Sequence, residues 1–186
     1  MALALGAGVL AWVLDRPPRP DLSGVLLETR RALPSFSLAR HDGGRMTRAD
    51  LEGHWSLLFF GFTHCPDVCP TTLFTLREAM AQMEGERPQV ILVSLDPMRD
   101  TPEILAAYVP YFHPTFIGLT GELPEVQELA DGLGVAYAYV AGEDGDYSVD
   151  HTASLFLVDP QGRLAGLFHP PHDAERIARD MTEVMR

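Results

Sequence analysis

The sequence predicts an α/β fold in which a central mixed sheet is flanked by helices. Two unbroken apolar runs, residues 55–62 and 89–95, are typical of strands buried on both faces, as in a parallel sheet covered by helices. Each run is followed by a segment with helical signals. Near the C-terminus, Asp159-Pro160-Gln161-Gly162 is a strong β-turn between two apolar segments. It predicts an antiparallel hairpin, and Asp173 then caps a final amphipathic helix.

The other elements can be predicted in chain order. Residues 33–38, which include Pro34, read as an edge strand, and His41-Asp42-Gly43-Gly44 as a turn. Thr101 is a predicted N-cap, because Pro102 suits the first helical position after it. The remaining predicted elements are a helical turn at residues 47–51, helices at 67–83, 102–112 and 124–133, and strands at 115–119, 135–140, 154–158 and 163–168.

Composition limits the class of protein. A chain of 186 residues with 46% hydrophobic residues is long enough for one domain with a substantial core. Its formal net charge of −12 argues against nucleic acid as a partner, since such binding depends on neutralising phosphates with Lys and Arg. We therefore expect a single acidic domain that does not bind nucleic acid.

The N-terminal segment, residues 1–14, is apolar and carries no charge. As a helix it would span about 21 Å, which is short of the roughly 30 Å hydrocarbon core of a bilayer. We interpret it as an N-terminal membrane anchor or an uncleaved export signal; the alternative is a buried N-terminal helix. Residues 15–23 read as a proline-rich linker and residues 24–186 as the folded domain.

Both cysteines of the chain, Cys65 and Cys69, lie where an apolar strand is followed by a helix. A helix N-terminus favours thiolate and is expected to lower a thiol pKa. Residues four apart on a helix have Cβ atoms about 5–6 Å apart, whereas a relaxed disulfide needs about 3.5–4.5 Å. Two thiolates on one soft metal, each at about 2.3 Å, are easier to accommodate. The pair therefore favours a metal site, although a structural disulfide or two inert thiols remain open.

A cysteine pair at a helix start in an α/β domain is the general thioredoxin-like layout. Imidazole is the usual partner of thiolates on a soft metal, and His151 is the best of the seven histidines because we place it on a loop just before an apolar strand. Asp150 is then a candidate acceptor for the imidazole N–H or a candidate weak ligand. Asp96 and Asp100 are candidates for tuning the acidity of the thiols or for docking a partner, although Asp100 is more simply part of a helix start. His64 is a reserve ligand.

Three segments resemble the signature segments of the Sco/SenC copper-chaperone family, in the same order and spacing, over about residues 30–186. They are Gly61-Phe62-Thr63-His64-Cys65-Pro66-Asp67-Val68-Cys69-Pro70, Asp96-Pro97-Met98-Arg99-Asp100-Thr101-Pro102 and Val149-Asp150-His151-Thr152. The resemblance implies a thioredoxin-like fold and a copper site, for Cu(I) and Cu(II), made by Cys65, Cys69 and His151.

The same resemblance implies a cellular role. The family helps to assemble the dinuclear copper centre of cytochrome c oxidase subunit II. It is anchored in a membrane and faces the bacterial periplasm or the mitochondrial intermembrane space. We therefore expect a monomer on the periplasmic side of the bacterial inner membrane, whose partner is subunit II or a periplasmic copper donor or acceptor.

Two other functions compete with a metallochaperone. A thiol–disulfide oxidoreductase that reduces the copper-site cysteines of the partner needs only a reactive thiolate and a resolving thiol, which Cys65 and Cys69 can supply. His151 is superfluous to that chemistry, so the sequence favours the copper role. A peroxidase of the peroxiredoxin kind expects Thr three residues before its reactive cysteine. Phe62 and Pro66 occupy those positions, which argues against it.

Overall fold

A computed structural model of the protein describes residues 22–142 and 146–186. Within these ranges the chain forms ten strands, four α-helices and one 3-10 helix, Arg48–Leu51. The strands are β1 (Val25–Ala32), β2 (Ser37–Arg40), β3 (Arg45–Thr47), β4 (Ser56–Gly61), β5 (Gln89–Ser94), β6 (Ile117–Thr120), β7 (Tyr137–Ala141), β8 (Tyr147–His151), β9 (Leu155–Val158) and β10 (Arg163–Phe168). The α-helices are α1 (Val68–Gln82), α2 (Pro102–Phe112), α3 (Leu123–Leu133) and α4 (Ala174–Val184).

Eight of the described strands form one mixed sheet in the order β1-β10-β9-β4-β5-β6-β2-β3. β4, β5 and β6 are parallel, and the other pairings in this sheet are antiparallel. α1 packs along α4, and α2 packs on β6. The predicted α/β fold, with a central mixed sheet, flanking helices, and a C-terminal hairpin and helix, is confirmed.

The two apolar runs of the sequence form β4 and β5, the buried strands at the centre of the sheet. All six residues of β4 are buried, and β4 pairs with β5 on one side and β9 on the other. Phe60 of β4 meets Phe156 of β9 edge to face, with ring centroids 5.7 Å apart. Such pairs add to the free energy gained by burying the rings. The strand that leads into the cysteines is therefore the most enclosed part of the sheet.

The helix ends follow the predicted capping chemistry. Thr101 Oγ1 accepts the backbone N–H of Ile104 at the start of α2, at 3.4 Å. Asp173 Oδ1 does the same for Arg176 at the start of α4, at 2.9 Å. α3 ends at Gly134, whose φ of 79° is the left-handed conformation that glycine adopts without strain.

Several strand predictions are wrong in detail. Residues 33–36 lie outside any strand, because β2 begins only at Ser37, after Pro34. β1 was not among the predicted strands: its side chains are mostly exposed, and it is an edge strand held by backbone pairing to β10. The strand predicted at residues 135–140 exists as β7, but it joins β8 in a separate two-stranded ribbon instead of the main sheet. We call this pair the β7–β8 ribbon.

The predicted anchor, residues 1–14, lies outside the described residues, as does most of the predicted linker. Ser23, at the end of that linker, already contacts the domain, since its backbone N–H and its hydroxyl both donate to Asp180 of α4 at 2.6 Å. In residues 22–142 and 146–186, no helix has the length and apolar character needed to cross a bilayer.

Candidate metal centre

Cys65 lies in the turn that connects the carboxyl end of β4 to α1, and Cys69 is the second residue of α1. In parallel α/β sheets, the carboxyl ends of neighbouring strands open onto the same edge, where ligands bind. Cys65 is partly exposed and Cys69 is fully buried, and the two are not joined by a disulfide. The Cys65 thiol is therefore close to the surface, and the Cys69 thiol lies in the interior.

The start of α1 differs from the prediction. The helix begins at Val68, so Pro66 and Cys65 precede it and only Cys69 lies in its first turn. The spacing argument for two residues on one helix face does not apply to this pair. Instead, the backbone N–H of Cys69 donates to the sulfur of Cys65 at 3.4 Å. The Cys65 sulfur thus satisfies an amide at the helix start, a role that a capping side chain usually fills.

His151 comes to the buried thiol from 82 residues further along the chain: its Nε2 lies 3.5 Å from Cys69 Sγ. His151 is the last residue of β8, and not part of a loop as predicted. Its Nδ1 lies 3.0 Å from the carbonyl oxygen of Thr152. A carbonyl only accepts, so Nδ1 carries the proton and Nε2 presents its lone pair to the sulfur. Thr152, and not Asp150, is thus the partner of the imidazole N–H.

Burial determines the protonation of both groups in the metal-free protein. It raises the pKa of the Cys69 thiol far above its usual value, and the nearby Cys65 and Asp100 act in the same direction. The expectation that the helix start lowers the thiol pKa is therefore wrong for Cys69, because loss of hydration outweighs the helix dipole. Burial also lowers the pKa of His151. At neutral pH the structure pairs a neutral thiol with a neutral imidazole.

The surroundings of this pair are apolar and tightly packed. The His151 ring meets Phe59 and Phe62 edge to face, with centroid distances of 5.9 and 6.1 Å. At Gly61, a Cβ atom would lie 2.8 Å from Cys69 Sγ, so the sulfur occupies the space that a side chain there would need. Gly61 therefore has a role that the sequence prediction missed: its lack of a side chain makes room for the sulfur beside β4.

Asp100 has a larger role than the helix start to which we assigned it. Its carboxylate is fully buried and accepts from Thr63 N at 3.0 Å, Thr63 Oγ1 at 2.5 Å and Ser94 Oγ at 2.6 Å. These bonds tie the turn before Cys65 to the end of β5. A buried carboxylate needs such donors, and in return it fixes the segment that provides them.

Two further candidate residues, Asp150 and His64, lie at the surface beside the site. Asp150 is exposed. The His64 side chain is also largely exposed, and its Nδ1 contacts Thr63 Oγ1 at 3.1 Å. A cavity of about 260 Å³ lies between the cysteine turn and β8, lined by Phe62, Cys65, Pro66, Val68, Asp150 and His151, among others. This cavity gives the site an open side.

The donor set suits a soft metal. Two sulfurs and one aromatic nitrogen are ligands that copper accepts in both of its common oxidation states. Cys69 and His151 are already adjacent, and Cys65 lines the same cavity as His151. Among the described residues, no three His, Cys, Asp or Glu side chains form a ready-made metal cluster. Cys65, Cys69 and His151 are the residues that would hold such an ion.

The fold and this site together define a class: a thioredoxin-like domain with two thiols and an imidazole at one end of its sheet. The chain belongs to the SCO1/SenC family, whose model matches residues 26–186.

Similar proteins and structures support this assignment. A protein of Stutzerimonas stutzeri that is named as a copper-binding protein is 37% identical over 189 residues. The match covers 100% of this chain and 93% of that protein. The crystal structure of Arabidopsis thaliana ScoI with copper bound is 37% identical, with a TM-score of 0.79, over 83% of this chain and 98% of that one. The solution structures of apo Sco1 from Thermus thermophilus are 38% identical, with a TM-score of 0.80, over 90% and 99%. The predicted thioredoxin-like fold is thereby confirmed.

Proposed function

We propose that this protein is a copper metallochaperone that binds copper through Cys65, Cys69 and His151. The observation that carries the proposal is the 3.5 Å approach of His151 Nε2 to Cys69 Sγ, which joins the two distant signature segments in one pocket. The copper-bound relative from Arabidopsis supports the choice of metal. Thiol–disulfide exchange does not require an imidazole, whereas the unprotonated Nε2 of His151 is suited to bind a metal.

Copper is the cargo of this site and not a permanent cofactor. To bind it, the buried Cys69 must release its proton, while His151 Nε2 is already unprotonated. Two thiolates suffice for Cu(I), and the imidazole adds the ligand that Cu(II) needs. The open cavity beside Cys65 leaves a side from which a partner's ligands can attack. A site with few ligands and one accessible side can release its metal as well as bind it.

We propose that the partner is cytochrome c oxidase subunit II, whose dinuclear copper centre receives the metal, or else a periplasmic copper donor or acceptor protein. The family membership supports this choice. The uncharged apolar segment at residues 1–14 supports attachment to the inner membrane, and the family membership supports the periplasmic side. If that segment is an anchor, the full chain should sediment with membranes, and recovery entirely in the soluble fraction would contradict the anchor.

The second candidate function is a thiol–disulfide oxidoreductase that reduces the copper-site cysteines of the partner. One observation favours it: Cys65 is partly exposed, whereas Cys69 lies buried behind it. An accessible attacking thiol with a sheltered resolving thiol is the arrangement that such exchange uses. The thiols would reduce a partner disulfide and form a Cys65–Cys69 disulfide, with both electrons coming from this pair.

A substitution of His151 tests the ligand set. We expect His151→Ala to weaken Cu(II) binding by more than about 100-fold, since loss of an outer partner alone costs about 10–100-fold. Cu(I) binding should weaken far less, and the reduction potential of the thiol pair should stay nearly unchanged. Copper titration of the reduced protein, followed by the thiolate-to-Cu(II) absorption band, measures this. Equal Cu(II) affinity in the wild type and the variant would remove His151 from the site.

His54→Ala is a matched control, because His54 is exposed at the opposite end of β4 from the cysteines. It should bind copper as the wild type does. To separate the two functions, copper-loaded protein is mixed with a subunit II fragment, and copper and disulfides are followed together. Movement of electrons without movement of copper would favour the reductase.

A further inference from the structure

The β7–β8 ribbon carries His151 but is not part of the main sheet. Its two strands pair with each other from Tyr137 opposite His151 to Ala141 opposite Tyr147. Among the described strands, neither has a hydrogen-bonded ladder to any other strand. An isolated two-stranded ribbon is marginal by itself in water. Its position therefore depends on side-chain contacts, together with the short connection from His151 to β9.

At the end of the ribbon far from His151, three side chains connect the ribbon to the loop that follows β5. Tyr147, the first residue of β8, donates its hydroxyl to Asp96 Oδ1 at 2.7 Å. The Arg99 guanidinium lies 3.8 Å from the centre of the Tyr147 ring. Arg99 Nε also donates to Asp96 Oδ2 at 2.5 Å. Asp96, Arg99 and Tyr147 thus form a closed set of mutual contacts, which we call the ribbon clamp.

Burial of Asp96 and Arg99 restricts the ribbon clamp to one arrangement of its side chains. Asp96 is fully buried, and the side chain of Arg99 is only 19% exposed. A buried carboxylate that loses a donor is costly, so Asp96 strongly favours the arrangement that supplies both donors. Arg99 also reaches Asp146 at 3.0 Å, but that carboxylate is 77% exposed, and exposed pairs contribute little. The buried contacts therefore determine where Tyr147 sits.

A second contact connects the ribbon to the loop after β5, which also contains Asp96. Tyr139 of β7 donates its hydroxyl to the carbonyl oxygen of Leu95 at 2.7 Å, and its ring meets Tyr147 with centroids 5.6 Å apart. Leu95 and Asp96 directly follow β5, whose neighbour β4 leads to the cysteines. The ribbon is thus attached to the sheet edge at which the thiols lie.

We propose that Arg99 and Tyr147 are positioning residues for copper: through the ribbon clamp they hold the β7–β8 ribbon where His151 meets the cysteines. The proposal rests on the proposed function, since it concerns how the imidazole reaches the metal. In this proposal the signature segment 96–102 holds in place the ribbon that carries the signature segment 149–152. A loosened clamp should leave Cys65 and Cys69 in place and lower only the fraction of protein whose imidazole is in reach.

The test compares two arginines with similar surroundings. Arg30, like Arg99, pairs with a fully buried carboxylate, Asp159, at 2.9 Å, and it lies over an aromatic ring, that of Trp55. We expect Arg99→Met to weaken Cu(II) binding about tenfold, as loss of an outer partner usually does, and Arg30→Met to leave it unchanged. Cu(I) affinity should change little in both variants. In Arg99→Met, the nitrogen hyperfine coupling of bound Cu(II) should weaken, a signal that general destabilisation does not produce.

Tyr147→Phe is a second, milder variant that keeps the ring under Arg99 and removes only the hydroxyl bond to Asp96. It should show the same selective loss of Cu(II), by about threefold, as a single hydrogen bond would predict. The double variant Arg99→Met/His151→Ala should bind Cu(II) no more weakly than His151→Ala alone, because the clamp acts only through the imidazole.

The outcomes separate the two proposals. If His151→Ala loses Cu(II) but Tyr147→Phe and any folded Arg99→Met bind it as the wild type does, the ribbon clamp has no positioning role. Additive losses in the double variant would overturn it as well. If His151→Ala itself keeps full Cu(II) affinity, the ligand assignment fails first.

Discussion

The two halves of the candidate copper site are held in different ways. The cysteine turn continues β4, which is buried along its whole length and paired on both sides. The imidazole is carried by the β7–β8 ribbon, where Tyr139 and Val140 are 42% and 43% exposed. The position of the thiols therefore depends on the cooperative core, whereas the position of the imidazole depends on a few side-chain contacts.

This difference fits the chemistry that we propose. In the proposed site two thiolates satisfy Cu(I), whereas Cu(II) also needs the imidazole, which the ribbon carries. Segments with few buried contacts open at a lower free energy than the core. A ribbon that opens independently would let the protein change its ligand number without unfolding.

The largest effect is expected in the core beneath the cysteines. Phe60→Ala should lower the free energy of unfolding by about 3–5 kcal/mol, the usual cost of removing a buried aromatic ring. Val140→Ala, on the exposed side of the ribbon, should change it by less than about 0.5 kcal/mol. Urea unfolding of the copper-free protein measures both. Similar losses would contradict the difference in burial between the core strand and the ribbon.

A smaller effect is expected at Gly61. A Cβ atom there would lie 2.8 Å from Cys69 Sγ, so Gly61→Ala should cost about 1–3 kcal/mol through overpacking and weaken binding of both copper ions. Gly118→Ala is the matched control, since its Cβ would meet Val109 at 2.8 Å, away from the cysteines. The control should lose similar stability but keep its copper affinity. Loss of copper in both variants would refute a specific role for Gly61.

Acid should weaken the imidazole side of the site. Burial lowers the pKa of His151 and of His172, which contacts the carbonyl of Ala153 just after the ribbon, below the usual 6.5. Below that pH the unfolded chain takes up protons that the folded chain does not, so stability falls as the pH falls. Unfolding free energies at pH 7.5, 6.5 and 5.5 should decline in this order, and less steeply in His172→Gln. A flat profile would contradict the burial of these rings.

The smallest effect concerns the contact of Tyr139 with Leu95. Tyr139→Phe removes one hydrogen bond, worth about 0.5–1.5 kcal/mol, from the edge of the ribbon. Amide hydrogen exchange should accelerate in β7 and β8 while β4 and β5 stay protected. Equal acceleration in all four strands would mean that the ribbon does not open independently.

Much of this architecture follows from local patterns in the sequence. The apolar run before Cys65 predicts a buried strand because continuous hydrophobicity reports burial on both faces. Thr101 and Asp173 mark helix starts because capping is chemistry between close neighbours. The combination of cysteine pair and histidine also pointed to one site, with the resemblance to the family supplying His151 as the partner.

The failures are equally instructive. β1 escapes prediction because an exposed edge strand is held by backbone pairing and has no apolar face to reveal it. β7 was expected in the main sheet because its apolar residues do not show which strand they will pair with. The pKa of Cys69 was misjudged because the helix start is visible in the sequence, whereas the depth of burial is not.

Local patterns thus establish the α/β class, the strand-to-helix position of the thiols and the order of the functional segments, since each depends on residues close together in the chain. The burial of Cys69, the 3.5 Å distance from its sulfur to His151 Nε2, and the contacts among Asp96, Arg99 and Tyr147 arise only in the tertiary structure. These features join residues dozens of positions apart. Their energies arise from desolvation and packing, which no local pattern contains.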